Sequence, residues 1–509
     1  MTYVLTLPLK TDASDEIKLA RSFALIQKVH NQTVKESQKR FRMLNRDKQY
    51  QKTLAEYSAL KKEYESEENS ERKEAVKAEI SSLSDILTDC RKKAGLTKTD
   101  LEKFAKVQQH KYKNYLSSMQ VQKEADRVYA GVEKVLFGSG KKLHLKRYYQ
   151  IDTISQKNHT NGVIFRKADM SIRFMNMIIP VSLDVNDSYA EEALQNKIIL
   201  VELKRIEFEQ GFRYYINLYL EGTAPLKDKN IHGDCETGID IGVSTAASVS
   251  DARVILEELA PDGKDYEREI QNLQQKIDRC LRRDNPDNYK EDGTCKKGKH
   301  TWNISKKCRR MKRKVRVLYR KQTAYTYTSH HNLANRIIRT ASSITTEKMN
   351  WSALAKRSKK TERQEQESEI KTKSGEVRKV HKFKRKKRFG RSVKNRSPGL
   401  FQRTLKEKCI QQDIPYREVD TKAFRASQYI HTTGEYVKVP MSQRYKQIGS
   451  HKVQRDLYSA WLLKNSDKTL KAPDHRKCIQ TFDSFVKMQD LTISCMKYYG
   501  ISFRQCFGF

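Results

Sequence analysis

Residues 3–9 alternate apolar and polar side chains, the period of a half-buried strand. From about Asp15 to Phe137 the spacing turns helical and the composition shifts to Lys, Glu and Gln, with a Glu/Lys-rich stretch from Asp47 to Lys77 that reads as an exposed helical hairpin. Thr99 followed by Glu102 has the form of a capping box, and Gly95 just before it suits the stop of a preceding helix. Between Lys142 and Leu226 the pattern becomes short strands. Ile216, Leu218 and Leu220 alternate with Tyr215, Asn217 and Tyr219, and the run Ile198 to Ile206 precedes them across a connection of hairpin length, Glu207 to Gly211. The strand at 3–9 is too short to stand alone, so it is expected to join this β module, which makes the helical segment an insertion. The β module itself suits a small barrel or sandwich.

A third style follows Ala224 and Pro225. Thr237 to Thr245 is a compact apolar strand interrupted by one acid, Asp240. Ile270, Leu273, Ile277 and Leu281 then recur at helical spacing, a basic amphipathic helix is predicted from Lys306 to Thr340, and Ser342 to Thr346 reads as a strand ending at Glu347. Residues 356–396 are polar and poor in apolar side chains, which predicts a loop or lid. Beyond it, Phe401, Leu405 and Ile410 mark a helix, Tyr416 to Val419 a strand, and Val453 to Leu463 a helix carrying Asp456, with a helical tail. No internal repeat is visible, which argues against a solenoid.

Charge changes the picture most. Lys and Arg number 102 against 62 Asp and Glu in 509 residues, a formal net charge of +40. Such an excess repels itself unless a polyanion lies against it, and nucleic acid is the economical partner. Hydrophobic residues at 37% still supply cores, and the length implies several domains. No run of about 18 apolar residues exists to span a membrane, and the N-terminus lacks the pattern of a secretory signal, so a cytoplasmic protein is expected. The nine cysteines include no CxxC pair, and reduced thiols are expected.

The cations cluster. Arg309, Arg310, Lys312, Arg313, Lys314, Arg316 and Arg320 fall on the predicted basic helix, and Lys382, Lys384, Arg385, Lys386, Lys387, Arg388 and Arg391 fall in the lid. The first run, Lys384, Arg385, Lys386, Lys387 and Arg388 of the second, and Arg455 are the candidate phosphate contacts; a plain solvated helix is the competing reading of the first run. Tyr148, Tyr149, Tyr214, Tyr215 and Tyr219 could stack on nucleotides or simply pack the β module.

Asp240, Glu347 and Asp456 stand out because each lies beside apolar, element-forming sequence where a lone charge is costly. A shared divalent cation is the simplest partner. Oxygen-only ligands in a basic surround suit Mg²⁺ or Mn²⁺, and two such ions activate water and stabilise the leaving oxygen of a phosphodiester.

Three segments carry a resemblance: Gly238-Ile239-Asp240-Ile241-Gly242; then, after a long helical insert, Thr346-Glu347-Lys348-Met349-Asn350; then Arg455-Asp456-Leu457-Tyr458-Ser459-Ala460. In this order they resemble the split motifs of a RuvC-type, RNase H-like nuclease, in particular the TnpB family of transposon-encoded RNA-guided nucleases and the type V CRISPR effectors. The resemblance implies a multidomain α+β and α/β protein. It divides into a first wedge strand (1–14), a helical recognition insertion (15–140), a β-barrel wedge (141–228), a first RuvC part with a basic arm (229–355), a basic lid (356–397) and a second RuvC part (398–420). A target-nucleic-acid-binding segment (421–452) and a final RuvC motif with its tail (453–509) complete it. Asp240, Glu347 and Asp456 would be the metal-binding catalytic acids; guide RNA and target double-stranded DNA would be the partners, and a monomer is favoured.

One departure stands out. In the family the 421–452 region commonly holds a zinc ribbon, but Ile430 and Thr433 stand where the first pair of cysteines would be and no second pair follows. No zinc is expected there, and His431 reads as a surface or hydrogen-bonding histidine. The function implied is an RNA-guided DNA endonuclease. A guide-directed repressor that does not cut, and a guide-independent structure-selective RuvC-type nuclease, are the alternatives.

Overall fold

The structure is a computed structural model that describes every residue except 1, 185, 292, 357–362, 372–376, 384–388, 441, 502–506 and 509. It divides into two compact units, Met1–Pro225 and Leu226–Phe509.

The first unit begins with β1 (Thr2–Pro8) and runs through α1 (Ala13–Leu44), α2 (Lys48–Ser66), α3 (Ser70–Lys93), α4 (Lys98–Gln109) and α5 (Ser118–Leu136). There follow β2 (Thr153–Ile154), β3 (Val163–Arg166), β4 (Ser171–Phe174), β5 (Met177–Pro180), α6 (Ser188–Ala193), β6 (Ile198–Glu207) and β7 (Phe212–Glu221). α1 starts at a capping box formed by Asp12 and Asp15, and it buries Leu19, Phe23, Ile26 and Val29 at the 3–4 residue spacing of one helical face. β1 pairs antiparallel with β7, with Leu5 opposite Leu218 and Leu7 opposite Ile216, all four buried. The sheet order is β1-β7-β6-β2, and β3-β4-β5 form a second sheet. Neither sheet closes on itself among the described residues, so the expected barrel is corrected to two open sheets. Beyond β1 the Leu9–Val181 bridge reaches the end of β5, but no ladder joins the two-residue edge strand β2 to β3.

Two buried polar groups tie helices to this sheet. The Arg205 guanidinium is enclosed by the rings of Phe23, Tyr148 and Phe212, 4.0–4.3 Å from their centroids, and donates to the carbonyls of Ile151 and Tyr148. Arg127 bridges Glu124 and Glu202, and Glu202 also accepts from Asn217 and Tyr219. Tyr148, Tyr214 and Tyr219 are thereby engaged in packing and hydrogen bonds within the unit. α3 stops as expected at Gly95, whose φ of +68° lets the N–H of Leu96 reach the Arg91 carbonyl. The next helix begins earlier than expected: Thr97, not Thr99, is its cap and accepts from the Asp100 N–H, because the chain needs only Leu96 to leave the left-handed turn.

The second unit opens with β8 (Cys235–Ile241), β9 (Thr245–Val249) and β10 (Val254–Glu258), then α7 (Gly263–Asp284), α8 (Lys306–Ile338) and β11 (Ala341–Glu347). Next come α9 (Trp351–Ala355), the paired strands β12 (Arg363–Lys371) and β13 (Val377–Phe383), α10 (Gly390–Arg396), α11 (Pro398–Gln411) and β14 (Tyr416–Val419). α12 (Thr421–Phe424), β15 (Tyr445–Ile448), β16 (His451–Gln454), α13 (Arg455–Lys464) and α14 (His475–Tyr498) complete it. The main sheet has the order β10-β9-β8-β11-β14; β10, β9 and β8 are antiparallel, while β8–β11 and β11–β14 are parallel. α8 and α11 cover one face, where Ile239, Ile241 and Ile344 meet Ala334, Ile337, Phe401 and Leu405. α13 and α14 cover the other through Leu457, Trp461, Phe482 and Phe485.

Two expectations need correction. The region read as a lid contains a hairpin and α10, whose Arg396 is buried against Glu258 and whose Asn395 donates to Glu267 at 2.6 Å, so its C-terminal end belongs to the folded body. The helix of Asp456 begins at Arg455; Val453 lies in β16, where its alternation with the residues of β15 wins over helical periodicity.

Gly238 decides how α13 lies. A Cβ at this position would stand 2.0 Å from the Ala460 carbonyl oxygen and 2.2 Å from the Lys464 nitrogen, both backbone atoms that cannot swing aside. Gly238→Ala is therefore expected to cost at least about 3 kcal/mol and to lower the thermal midpoint clearly. Gly211→Ala, where a Cβ meets nothing within 4 Å, should leave it within about a degree. Equal midpoints for the two variants in a melting experiment would refute the close approach of helix and strand.

Candidate metal-binding acidic site

The sequence-predicted acids come together at one end of the main sheet. Asp240 follows Ile239 in β8 and Glu347 follows Thr346 in β11; Ile239 and Thr346 are paired, so the two carboxylates leave neighbouring parallel strands at the same level. Alternation puts Asp240 on the side of Gly238, the face that receives α13. Asp456 sits in the first turn of α13, capped by Gln454, whose side chain accepts from the Leu457 N–H at 2.8 Å.

Their electrostatics show that they share one neighbourhood. Burial, then the charge of Asp456, then that of Glu347 push the Asp240 carboxyl well above the usual carboxylate range, with Arg455 opposing them. Burial raises Glu347 to about 7. Asp456 is 8% exposed; Arg455 donates to its Oδ1 at 3.2–3.3 Å and Arg444 stands 3.7 Å from Oδ2, which has no hydrogen-bond partner. Among the described residues no three His, Cys, Asp or Glu side chains are set to enclose a metal ion as they stand. The donor set nonetheless fits a hard divalent cation: oxygen ligands only, like charges destabilised by their proximity, and one buried carboxylate oxygen free of hydrogen bonds.

Of the cations singled out in the sequence, Arg309 and Arg310 are exposed on α8, while Lys312, Arg313, Lys314, Arg316 and Arg320 are half-buried. α8 is not a bare rod, because α7 packs on it through Ile270 against Val315 and Leu318, and Lys314 pairs with Glu269 at 3.1 Å. Arg455 is at the acids. Lys384, Arg385, Lys386, Lys387 and Arg388 lie outside the described residues.

The segment 421–452 is packed by ordinary side chains. Phe424, Ala426, Tyr429 and Ile448 enter the core under α13 and α14. His431 is 2% exposed, its ring hydrogen-bonds Tyr458 at 2.8 Å and lies against Trp461 and Phe482, and burial lowers its pKa to about 4. Of the two readings of His431, the hydrogen-bonding one is the structure's.

Sequence reasoning missed three residues here. Lys446 is 5% exposed on β15, its Nζ has no hydrogen-bond partner, and burial followed by the charge of Arg455 lowers its pKa to about 8. Arg444 reaches Asp456 from the same strand end. Gln402 accepts from the Trp351 indole at 2.7 Å and donates to Glu418 at 3.1 Å and, at 3.4 Å, to the carbonyl of Glu347, which steadies the end of β11. Arg444 and Lys446, two apart before an apolar helix, had the signature of one strand face.

No protein-family model and no curated protein matches the sequence. Among solved structures, similarity is found to a Cas12f1-sgRNA-target DNA complex, with a TM-score of 0.42, 12% identity, and coverage of 91% of this chain and 99% of that one. A CRISPR-Cas12f ternary complex gives a TM-score of 0.28, 11% identity, and coverage of 90% and 86%. Coverage is wide, and the scores are low. No described helix is long and apolar enough to cross a membrane.

The raised Glu347 carboxyl has a consequence for stability. Its folded-state pKa of about 7 exceeds the ordinary 4.5, so its ionisation opposes folding: the penalty is absent below about pH 4.5, grows up to about pH 7 and is constant above. After allowance for partial exposure it is on the order of 2 kcal/mol. Glu347→Gln is thus expected to melt above wild type at pH 8 in chelator and with it at pH 4. Added Mg²⁺ or Mn²⁺ should raise the wild type and not the variant. Coincident melting at pH 8 in chelator would show that the carboxylate is not destabilised.

Proposed function

We propose that the chain is an RNA-guided, metal-dependent nuclease that hydrolyses DNA phosphodiesters at Asp240, Glu347 and Asp456. The observation that carries this is the convergence of three acids, distant in sequence, from two adjacent parallel strands and a helix seated on them. Three antiparallel strands followed by two parallel ones, with helices on both faces, support reading the second unit as RNase H-like. The +40 charge supports a polyanionic partner, and the RuvC-type motif order supports guide RNA and target DNA within that class.

In this reading Asp240, Glu347 and Asp456 hold Mg²⁺ or Mn²⁺. The bound ions would supply a water made acidic enough to attack phosphorus and a counter-charge for the leaving oxygen. The chain does the rest. β8 and β11 fix two carboxylates at one level, and Gly238 lets α13 bring the third. Gln402 steadies the Glu347 backbone, and Arg444 and Arg455 offer positive charge to the substrate phosphate. The exposed Arg309 and Arg310 add backbone contacts that give affinity without sequence information.

Purified with its copurifying RNA, the protein should cut a matching DNA in Mg²⁺. Asp240→Ala should lower the rate by at least about 10³-fold, the scale of losing a catalytic carboxylate, with DNA affinity unchanged within about twofold. A variant that still cuts would overturn the site, and the absence of any enriched small RNA would overturn the guided reading while leaving the acids intact.

A further inference from the structure

β10 is the outermost strand of the main sheet, and its free edge is the floor of a groove of about 860 Å³ walled by α8 and α14. The ladder to β9 decides which backbone groups face that groove. The Ser250 N–H donates to the Arg253 carbonyl and the Leu259 N–H to the Ser244 carbonyl, so residues 253 and 259 are bonded toward β9. The register between them is unbroken, so residues 255 and 257 are bonded the same way. Val254 and Leu256 therefore turn their N–H and C=O groups outward, and among the described residues these groups meet no hydrogen-bond partner. Val254 is only 7% exposed and Leu256 3%. Unpaired backbone at that depth is costly, and an added strand would satisfy it.

The two walls differ in kind. α8 presents Thr328, Ser329 and Asn332, whereas α14 presents Met488, Leu491 and Met496. Ile255 of β10 packs on the α8 side of the sheet, and Val254 and Leu256 pack on the α14 side. A strand laid against β10 continues the same sheet, so its successive side chains go alternately to the polar wall and to the apolar one. Charge selects the polar set. Arg253 is exposed where the turn enters β10 and lines the groove, and among the described residues its guanidinium meets no carboxylate. That cation favours acidic side chains, and the net charge of +40 opposes a second copy of this chain as the occupant.

We propose that the β10 groove is a docking site for an extended segment of another protein, in which apolar residues alternate with acidic ones, and that this segment adds a strand to the main sheet. Hydrogen bonds to the outward backbone groups of Val254 and Leu256 supply affinity, and the unlike walls of α8 and α14 supply specificity. Every lining residue belongs to the second unit, and none is one of the three acids, so the site stands whether or not the protein cuts nucleic acid.

The test titrates the full chain against a short fluorescein-labelled peptide of alternating Val and Asp, read by anisotropy. Saturable binding is expected below about 1 mM. N-methylation of one alternate set of peptide amides should weaken it at least about tenfold, and methylation of the other set should leave it within about twofold, because only one edge of an added strand faces β10. A Val-Lys peptide should bind at least about tenfold more weakly than Val-Asp, and Arg253→Glu, at an exposed side chain, should reverse that preference. Leu491→Glu, 67% exposed on the apolar wall, should weaken the Val-Asp peptide while leaving the melting midpoint in place. No saturation, or equal effects of the two methylation sets on the wild-type chain, overturns the added strand. A dimer in sedimentation that Leu491→Glu dissociates would assign the groove to a second copy and overturn the proposal as well.

Discussion

The second unit depends on a contact in which there is no room for a side chain. α13 lies so close to β8 that its backbone occupies the space where residue 238 would carry a Cβ, and only glycine permits it. That closeness delivers Asp456 to the end of the sheet where Asp240 and Glu347 already stand. The cost is electrostatic: burial, then the charges of Asp456 and Glu347, raise the Asp240 carboxyl, and burial raises that of Glu347. Packing energy from Leu457, Trp461 and Phe485 holds the helix down against that repulsion.

Much of this was legible in the sequence because the signals were local. A strand carrying Asp240, the strand ending at Glu347, the hairpin of β6 and β7 and the helix break at Gly95 each follow from period, turn residues or a single glycine, although the first runs over 235–241 where the sequence suggested 237–245. The acids were legible for a related reason, since a carboxylate inside an apolar run has few innocent explanations. What stayed hidden was set at long range. Whether two sheets close into a barrel depends on whether a ladder joins their edge strands, and among the described residues none joins β2 to β3. Whether Val453 is helix or strand depends on Lys446, its partner in β15, and not on its neighbours. The burial of Lys446 depends on Tyr458, twelve positions on, and no periodicity in either segment announces it.

The segment 421–452 is held in the second unit by side-chain packing. It places His431 among Tyr458, Trp461 and Phe482, with Arg425 over the Tyr436 ring at 4.0 Å. These are many weak contacts, several of which end on α13. The fold of the segment and the seating of the third acid are thereby joined, because Tyr458 and Trp461 serve both.

The pairing of β1 with β7 bears on how the chain is made. Thr2 lies opposite Glu221, so β1 has no partner in this sheet until β7, more than 200 residues later, has been synthesised. At ordinary rates of translation that interval is on the order of 10 to 40 s. Throughout it, α1 to α5 can form by local contacts, but the face of α1 that carries Leu19, Phe23 and Ile26 has no sheet to cover it. The interval in which this protein is most open to aggregation or chaperone capture is thus written into its topology, and it closes when β7 arrives.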